Sequence, residues 1–521
     1  MEHNPRPKCS PTRGALIATL AVWAGLASAQ DDAEASIEPT TSVERFSRAT
    51  VVARARVLAD SPYVPPAQTP RALAELDYDA YRQIRYRHDE AIWGDSPTRF
   101  AVELFAPGFL YRDLIDIKVV ENGVARDVRV DRDSFDAPSE AVGEALRSAG
   151  QFAGFRLHYP LNREDYRDEF LVFQGASYFR GVSADQTYGL SARGLAIDVG
   201  EASGEEFPVF RAFWIERPAA DANAIVVHAT LDSPRVAGAY TFRIYPGVVL
   251  TIDVTATLFP REDLRHVGIA PLTSMYLHGS IDPPARADYR LQVHDSEGLA
   301  VHTGSDEHLW RPLSNPAKLQ FSAFVDQDPK GFGLMQRNRS FAAYQDLEAL
   351  YHRRPSAWVS PRNEWGPGAV QLVEIPTREE TNDNIVSYFR PASPLQAGSE
   401  TQFTYRLTWP GTGRSQLPRK LGRVVRSARG NKVGRPDRGE LVVDYEFIRP
   451  PTATMLDAIT LSLQAPTELA ANARVQRNPH TQGFRVVIDY RLPLRKEAEL
   501  RLVPEHEGVP IGETWLYRLS L

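Results

Sequence analysis

The chain of 521 residues is too long for one ordinary hydrophobic core, so its length predicts at least two domains. Its hydrophobic content of 43% and charged content of 24% are typical of globular proteins. The formal net charge is −6 and the chain has no long basic run, so nucleic acid is not expected among its partners.

The first 29 residues have the pattern of a signal peptide. Three basic residues, Arg6, Lys8 and Arg13, precede an apolar run over residues 14–25, and the small residues 27–29 form a cleavage pattern. The apolar run is short for a membrane span, and no adjacent arginine pair precedes it. We therefore expect export through a cleaved signal of the general secretion type, with a retained N-terminal anchor as the alternative.

Cysteine and histidine usage argues against a metal site. The one cysteine, Cys9, lies within the predicted signal, so the mature chain would have no disulfide and no thiolate ligand for a metal. The 12 histidines are scattered and include no pair at metal-binding spacing. We expect neither a metal nor an organic cofactor.

Helix signals are confined to the start of the mature chain. Residues 41–59 are expected to form a helix whose apolar members include Phe46, Val51, Ala55 and Val57. Prolines between residues 62 and 70 then interrupt the chain, and a second short helix is expected over residues 71–81.

Strand signals dominate the rest of the chain. In residues 252–258, apolar side chains alternate with Asp253, Thr255 and Thr257, which is the period of a half-buried strand. Further apolar runs typical of strands occupy residues 155–159, 170–173, 225–230 and 240–245. The predicted class is all-β, with a large antiparallel β-sandwich over residues 38–395.

A second domain is predicted after a break at residues 391–398, which contain Pro391, Pro394 and Gly398. The following strands are short and regular, and about seven of them in roughly 120 residues suggest an immunoglobulin-like β-sandwich over residues 398–521. Residues 419–439 interrupt this pattern with many Arg, Lys and Gly residues. They are predicted to form a long loop, which is either functional or a solvated insertion.

Two acidic segments attract attention as candidate catalytic sequences. Asp295 lies in VHDSEGL at residues 293–299, and Asp383 lies in EETNDNIV at residues 379–386. Cleavage of a glycosidic bond needs one carboxyl group to protonate the leaving oxygen and another to activate water. Aspartates in loops more often form turns and caps, so chemistry alone leaves their role open.

Several longer motifs resemble one family. They are GFRLHYPL at 154–161, FQGASYF at 173–179, YGLSARGLA at 188–196, GIAPLTSM at 268–275, VHDSEGL at 293–299, WRPL at 310–313, GFGL at 331–334, RRPSAW at 353–358 and TNDNIV at 381–386. Together they resemble the glucan biosynthesis proteins G and D over roughly residues 40–520, and the signal type favours the G branch.

The resemblance implies a galactose mutarotase-like β-sandwich followed by the immunoglobulin-like domain, in a periplasmic protein. It implies cleavage or remodelling of β-1,2-glucan by an inverting pair of carboxyl groups. Transglycosylation at the same site is one alternative. Another is a non-catalytic protein that binds glucan or scaffolds a membrane-bound glucan synthase. A homodimer is also implied, in which residues 419–439 reach over the cleft of the neighbouring subunit.

Individual roles follow from the same resemblance. Asp383 is expected to be the acid, Asp295 the base and Tyr351 part of the proton route, while Glu380 matches a substrate-binding carboxylate. Further candidates come from the affinity of sugars for aromatic rings and for guanidinium groups. These substrate-binding candidates are Trp310, Trp358, Trp365, Arg193, Arg337 and Arg354.

Overall fold

A computed structural model describes residues 45–131, 134–284, 287–410, 417–418, 420–493 and 497–520. The predicted signal peptide, residues 38–44 of the predicted first domain, and Arg419 lie outside the described residues. Within the described ranges, no helix is both long enough and apolar enough to cross a membrane.

Helices are short and few in the described chain. The α-helices are α1 (Arg48–Asp60), α2 (Arg71–Ala74), α3 (Tyr78–Tyr81), α4 (Glu140–Ala149), α5 (Phe341–Tyr344) and α6 (Ala453–Asp457). Single 3-10 turns cover His88–Glu90, Tyr351–Arg353 and Thr467–Leu469.

Strands occupy most of the remaining chain. In the first half they are β1 (Arg85–Tyr86), β2 (Ala101–Phe105), β3 (Asp116–Glu121), β4 (Val124–Val128), β5 (Phe135–Asp136), β6 (Gly154–Arg163), β7 (Tyr166–Gln174), β8 (Tyr178–Gly181), β9 (Ser191–Arg193), β10 (Leu195–Ile197), β11 (Val209–Glu216), β12 (Ile225–Asp232), β13 (Val236–Tyr245), β14 (Leu250–Pro260), β15 (Val267–Ser274) and β16 (Tyr276–His278).

In the second half the strands are β17 (Val293–His294), β18 (Gly298–His302), β19 (His308–Pro312), β20 (Gln320–Gln327), β21 (Gly331–Met335), β22 (Ala357–Pro361), β23 (Pro367–Glu374), β24 (Ile385–Pro391), β25 (Thr401–Trp409), β26 (Arg423–Asn431), β27 (Arg438–Glu446), β28 (Thr460–Gln464), β29 (Asn472–Asn478), β30 (Gly483–Arg491), β31 (Ala498–His506), β32 (Val509–Pro510) and β33 (Thr514–Leu519). The predicted all-β class is confirmed.

Two large sheets face each other across the main core. Among the described residues, one sheet of ten strands runs β2-β6-β7-β8-β9-β15-β24-β23-β20, with β10 also paired to β15. The other has fifteen strands and runs β28-β31-β33-β19-β18-β21-β22-β25-β14-β13-β12-β11-β3-β4, with β32 paired to β31. Aromatic rings interlock between the sheets, as in Phe155 with Phe213 at 4.9 Å and Phe173 with Phe242 at 5.2 Å. This packing confirms the predicted large sandwich.

The predicted helices differ from the observed ones at their ends. Helix α1 begins at Arg48 and buries Val51 and Ala55, whereas Val57, another of its apolar residues, is exposed. The single helix predicted over residues 71–81 is two short helices, α2 and α3. Asp77 caps the second by accepting from the Ala80 backbone N–H at 2.8 Å, which starts a new helix at this point.

The C-terminal strands form a smaller sandwich that shares the large sheet. A four-stranded sheet, β26-β27-β30-β29, packs against β31 and β33. Strand β33 pairs in parallel with β19, through Leu309 with Thr514 and Trp310 with Trp515, so the large sheet continues beneath the smaller one. The shared core therefore includes Trp310 from the large sandwich and Trp515 from the C-terminal strands.

The predicted break at residues 391–398 does not separate the strands of the two sandwiches. Strand β25 follows the break, but it pairs with β14 and β22 in the middle of the large sheet. Its apolar side chains alternate like those of the C-terminal strands, because both kinds of strand bury one face. The assignment of this strand to the C-terminal domain was wrong.

The prediction of a long loop over residues 419–439 was also wrong. Strands β26 and β27 pair as a hairpin, and only the short segment between Asn431 and Arg438 forms its turn. Among the strands that the structure describes, β26 pairs with β27 alone, and a bulge lies between Val424 and Arg426. An edge strand with a bulge exposes many polar side chains, which explains the absence of simple alternation.

We expect a buried ion pair between the two sandwiches to be important for stability. Glu513 is fully buried and accepts from Nη1 and Nη2 of Arg337 at 2.7 Å each, and from the Val424 backbone N–H at 2.8 Å. Glu513→Gln leaves the Arg337 guanidinium without this neutralising carboxylate. The expected loss is about 3 kcal/mol in the free energy of unfolding, measured with guanidinium chloride.

The matched control is Glu164→Gln, because Glu164 pairs with Arg99 at 2.9 Å on the surface. Its expected effect is below about 1 kcal/mol, since water and salt screen exposed pairs. If both substitutions lower the free energy of unfolding by the same amount, the buried Arg337–Glu513 pair contributes no more to stability than an exposed pair does.

Candidate active site

Three separate chain segments meet beside the large sheets. Asp295 follows β17, Tyr351 opens a 3-10 turn, and Asp383 precedes β24. The side-chain amide of Gln336 ties two of these segments together. Its Nε2 donates to the carbonyl oxygens of His294 at 2.8 Å and Tyr351 at 3.2 Å.

Two adjacent residues anchor the segments that carry the aspartates. The backbone N–H of Asp295 donates to the Met275 carbonyl at 2.8 Å. The next residue, Tyr276, donates its backbone N–H to Oδ1 of Asn384 at 2.8 Å and accepts from Nδ2 of Asn384 at 3.0 Å. The fold therefore brings Asp295 and Asp383 to one place although they are far apart in sequence.

Asp295 is a buried carboxyl group with one cationic partner. Its side chain is 5% exposed, and Oδ1 accepts from Nη1 of Arg354 at 2.5 Å. Burial raises the pKa of Asp295 to about 6, and the nearby Asp383 carboxylate also raises it, while Arg354 acts in the opposite direction. Asp295 therefore changes its charge close to neutral pH.

Asp383 occupies a more open position. Its side chain is 31% exposed, and Oδ2 lies 3.6 Å from Nη2 of Arg180. It lines a cavity of about 530 Å³, together with Arg180 and several aromatic residues. A bound molecule in this cavity can touch Asp383 directly.

Tyr351 and Glu380 form the third part of the site. The Tyr351 hydroxyl donates to Oε2 of Glu380 at 3.2 Å, and the same oxygen accepts from Nη1 of Arg290 at 2.7 Å. Burial and the Glu380 carboxylate raise the pKa of Tyr351 above its ordinary value, which keeps the hydroxyl protonated. The Arg354 guanidinium lies 4.5 Å from the centre of the Tyr351 ring, so one arginine contacts both Asp295 and Tyr351.

A second cavity lies beside Glu380. Its volume is about 730 Å³, and its lining includes Arg290, Glu380 and Thr381. Asp383, two residues beyond Thr381, lines the first cavity. The segment from Glu380 to Asp383 therefore borders both cavities, which suits a chain-like ligand that fills both.

The hairpin over β26 and β27 lies next to this second cavity in its own subunit. Ser280 donates its hydroxyl to the Ser427 carbonyl at 2.5 Å, and Nη2 of Arg429 donates to Oδ1 of Asp282 at 3.1 Å. The neighbouring His278 and Pro284 line the cavity. That residues 419–439 of this hairpin also reach over the cleft of a neighbouring subunit stays a prediction.

The three tryptophans predicted to stack on sugar rings belong to the protein core, which corrects that prediction. Trp310 is 1% exposed and lies under the Arg337 guanidinium at 3.5 Å. Trp358 is buried against Gly331 and Gly333, and Trp365 is buried against Phe389 and Phe403. Their rings have no open face for a sugar, because large aromatic side chains also stabilise sheet packing.

The three predicted arginines differ in position. Arg337 is buried against Glu513, so its predicted contact with sugar was wrong. Arg193 is also buried, where it donates to Thr273 at 2.8 Å and pairs with Glu205. Its guanidinium lies 4.6 Å from the ring of Tyr178, so it supports a cavity residue rather than facing the cavity itself. Only Arg354 lies within the site.

Sequence reasoning missed Arg180, Arg290 and Gln336. None lies in a recognisable local pattern, and each joins the site through partners distant in sequence. Among the described residues, no group of three or more His, Cys, Asp or Glu side chains could hold a metal ion.

Comparison with known proteins finds one family over nearly the whole chain. The family model of the periplasmic glucan biosynthesis protein, MdoG, matches residues 46–519. The chain belongs to this family. Membership makes it a periplasmic protein with a role in glucan biosynthesis, and confirms the predicted resemblance.

Curated relatives show the same similarity. Glucans biosynthesis protein G 2 of Shewanella oneidensis is 47% identical over 484 residues, covering 93% of this chain and 90% of that protein. Glucans biosynthesis protein G of Vibrio cholerae is 45% identical, covering 91% and 87% respectively. Among solved structures, a galactose mutarotase related enzyme from Lactobacillus acidophilus aligns with 47% of this chain and 99% of its own at 9% identity and a TM-score of 0.21, which is too weak to support an argument.

The pKa of Asp295 predicts how stability depends on pH. The native carboxyl group has a pKa of about 6 against an ordinary value of 3.8, so the native state holds the proton more tightly than the unfolded state. Its contribution to stability is therefore lost as the pH rises through about 6. Relative to Asp295→Asn, the wild-type protein should lose about 1.4 kcal/mol between pH 5 and pH 8.

Urea unfolding of both proteins at several pH values measures this difference. Asp457→Asn is the control, because Asp457 lies on the surface and pairs with Arg477. A constant difference between wild type and Asp295→Asn across this range would contradict the raised pKa.

Proposed function

We propose that this protein cleaves or remodels β-1,2-linked glucan in the periplasm, using Asp295 and Asp383 as an inverting pair. The observation that supports this best is the pairing of a buried carboxyl group of raised pKa with a second carboxyl group that lines an open cavity. Carboxyl groups with different environments are typical of acid–base pairs in glycoside hydrolysis. The β-1,2 linkage rests on the family resemblance alone.

Geometry and pKa favour different residues as the acid. A raised pKa is typical of a general acid, which would suggest Asp295. The acid must contact the glycosidic oxygen, however, and Asp383 lines the cavity whereas Asp295 is only 5% exposed. Direct contact with substrate is the stricter requirement, so we assign Asp383 as acid and Asp295 as base.

A buried base needs a route to the attacking water or hydroxyl group. Tyr351 suits this role, because its hydroxyl can take the proton of the attacking group while it passes its own proton to Asp295. For that step the hydroxyl turns from Glu380, which accepts its hydrogen bond in the free protein. Arg354 holds Asp295 as a carboxylate at neutral pH and lies against the Tyr351 ring. Glu380, held by Arg290, can accept a hydrogen bond from a hydroxyl group of the glucan.

Replacement of the two aspartates tests the assignment. Asp383→Asn and Asp295→Asn should each lower kcat by about 100-fold to 10,000-fold on linear β-1,2-glucan, since each removes a proton-transfer group. New reducing ends and product masses are measured together. Hydrolysis adds one water to each cut, whereas cyclisation by transglycosylation conserves mass.

Asp457→Asn on α6 provides the control and should retain full activity. Wild-type protein that is folded, binds the glucan and leaves its chain length unchanged at every pH would sink the catalytic proposal in favour of a binding role.

The base assignment also predicts a pH profile. Asp295 with a pKa of about 6 loses its negative charge below that pH, so log kcat/KM should fall toward a slope of about one per pH unit. The profile of Asp295→Asn should lack this limb in its residual activity. An unchanged limb in the variant would assign the titration to another group.

Tyr351→Phe tests the proton route. The substitution keeps the ring under Arg354 but removes the hydroxyl that donates to Glu380. We expect kcat to fall about 10-fold to 100-fold with little change in KM, because a relay acts in the reaction step. The control is Tyr344→Phe, which removes a buried hydroxyl that donates to the Asn338 carbonyl at 3.0 Å in the same cluster. If Tyr351→Phe and Tyr344→Phe lower kcat equally, the Tyr351 hydroxyl has a structural role and is not part of the proton route.

A further inference from the structure

The cavity beside Asp383 contains a tyrosine whose buried hydroxyl lies next to the Glu169 carboxylate. Three tyrosines, Tyr111, Tyr178 and Tyr188, line this cavity with Glu169 and Asp383. The Tyr188 hydroxyl is buried and makes no hydrogen bond of ordinary geometry to any described residue. The Glu169 carboxylate is its polar neighbour, without the geometry of an ordinary hydrogen bond, so a ligand in the cavity can supply a better partner to the hydroxyl.

Tyr188 is held firmly next to the catalytic groups. The preceding Thr187 donates its backbone N–H to the Arg353 carbonyl at 3.3 Å. A Cβ added to the following Gly189 would lie 3.0 Å from Cβ of Arg354, so the backbone passes close to the arginine that binds Asp295. The ring of Tyr188 is thereby fixed between Arg354 and the cavity that Asp383 lines.

Glu169 supplies an acceptor on the same cavity wall. Nη1 of Arg156 donates to its Oε2 at 2.8 Å, while Nη2 of Arg156 pairs with the buried Glu103 at 2.5 Å. His88 lies on the other oxygen of Glu103, 2.6 Å away. This chain of charged groups holds Glu169 in place from behind the cavity.

A ring platform completes the cavity. Tyr178 has its ring fixed by the Arg193 guanidinium at 4.6 Å. Aromatic rings bind the apolar faces of sugars, and a few placed polar groups then fix the orientation. A pyranose unit offers both features, since its ring has apolar faces and its hydroxyl groups lie around the edge.

We propose that Tyr188 and Glu169 are a positioning pair, which binds a hydroxyl group of the sugar unit that lies in this cavity beside Asp383. Tyr188 donates or accepts one hydrogen bond, and Glu169 accepts another from the same sugar unit. The pair orients that unit so that its glycosidic oxygen faces the Asp383 carboxyl group. This inference rests on the proposed function, because it assumes that the ligand is a glucan.

The first test measures binding without turnover. In protein carrying Asp295→Asn, calorimetry gives the Kd for a linear β-1,2-linked glucan oligosaccharide, alone and with Tyr188→Phe or Glu169→Gln added. Each added substitution should weaken binding about threefold to tenfold, the usual range for one lost hydrogen bond. The two effects together should be less than the product of the single effects, since both contact one sugar unit.

Thermal stability separates a positioning role from a structural one. Tyr188→Phe removes a hydroxyl that makes no hydrogen bond of ordinary geometry in the free protein, so its Tm should be nearly unchanged while its Kd rises. The matched control is Tyr166→Phe, because Tyr166 is exposed at the start of β7 and lies outside the lining of this cavity. It should change neither quantity.

The outcomes distinguish this inference from the proposed function. If the Asp295→Asn protein binds the glucan and Tyr188→Phe leaves its Kd unchanged, the positioning role is overturned while the glucan site stands. If folded Asp295→Asn and wild-type proteins both fail to bind the glucan, both proposals fall. A lower Tm for Tyr188→Phe with equal Kd would make the hydroxyl structural.

Discussion

The continuity of the fifteen-stranded sheet is the constraint on which the rest of the molecule depends. Strand β33 from the C-terminus joins β19 in parallel, and β25 fills the place between β14 and β22. The two cores therefore share one layer of backbone hydrogen bonds. Side chains on one face of the shared region, such as Trp310, pack under the small sheet, and the buried Arg337–Glu513 pair closes the junction.

The geometry of the candidate site depends on this frame, because its charged residues come from loops that leave the sheets. Asp295 and Asn384 bond to the consecutive residues Met275 and Tyr276, where β15 gives way to β16. Burial raises the pKa of Asp295, and the nearby Asp383 carboxylate adds to that shift. Arg354 then limits the cost of burial for Asp295 without cancelling it, which leaves the pKa of that group at about 6.

The sequence predicted features that lie within one contiguous segment, but it did not predict contacts between residues that are distant in sequence. Strand alternation and the acids near residues 295 and 383 were visible because a half-buried strand repeats every two residues and because the motifs are contiguous. The edge strand β26 was missed because its buried residues do not alternate regularly along the sequence. The tryptophans were assigned to sugar because type alone does not show which side of a sheet a ring occupies, and Arg290 was missed because its partners Asp346 and Glu380 are distant in sequence.

The parallel pairing of β33 with β19 also has a consequence for the order of events in biosynthesis. A chain emerges from the ribosome or from a secretion channel with its N-terminal end first. The outer neighbour of β19 is β33, which pairs with it through residues 514–515. The large sheet is therefore complete only after residues 514–515, far beyond β19 in the chain, have been delivered. During that interval the outer edge of β19 exposes unpaired backbone N–H and C=O groups, which favour aggregation of the incomplete chain.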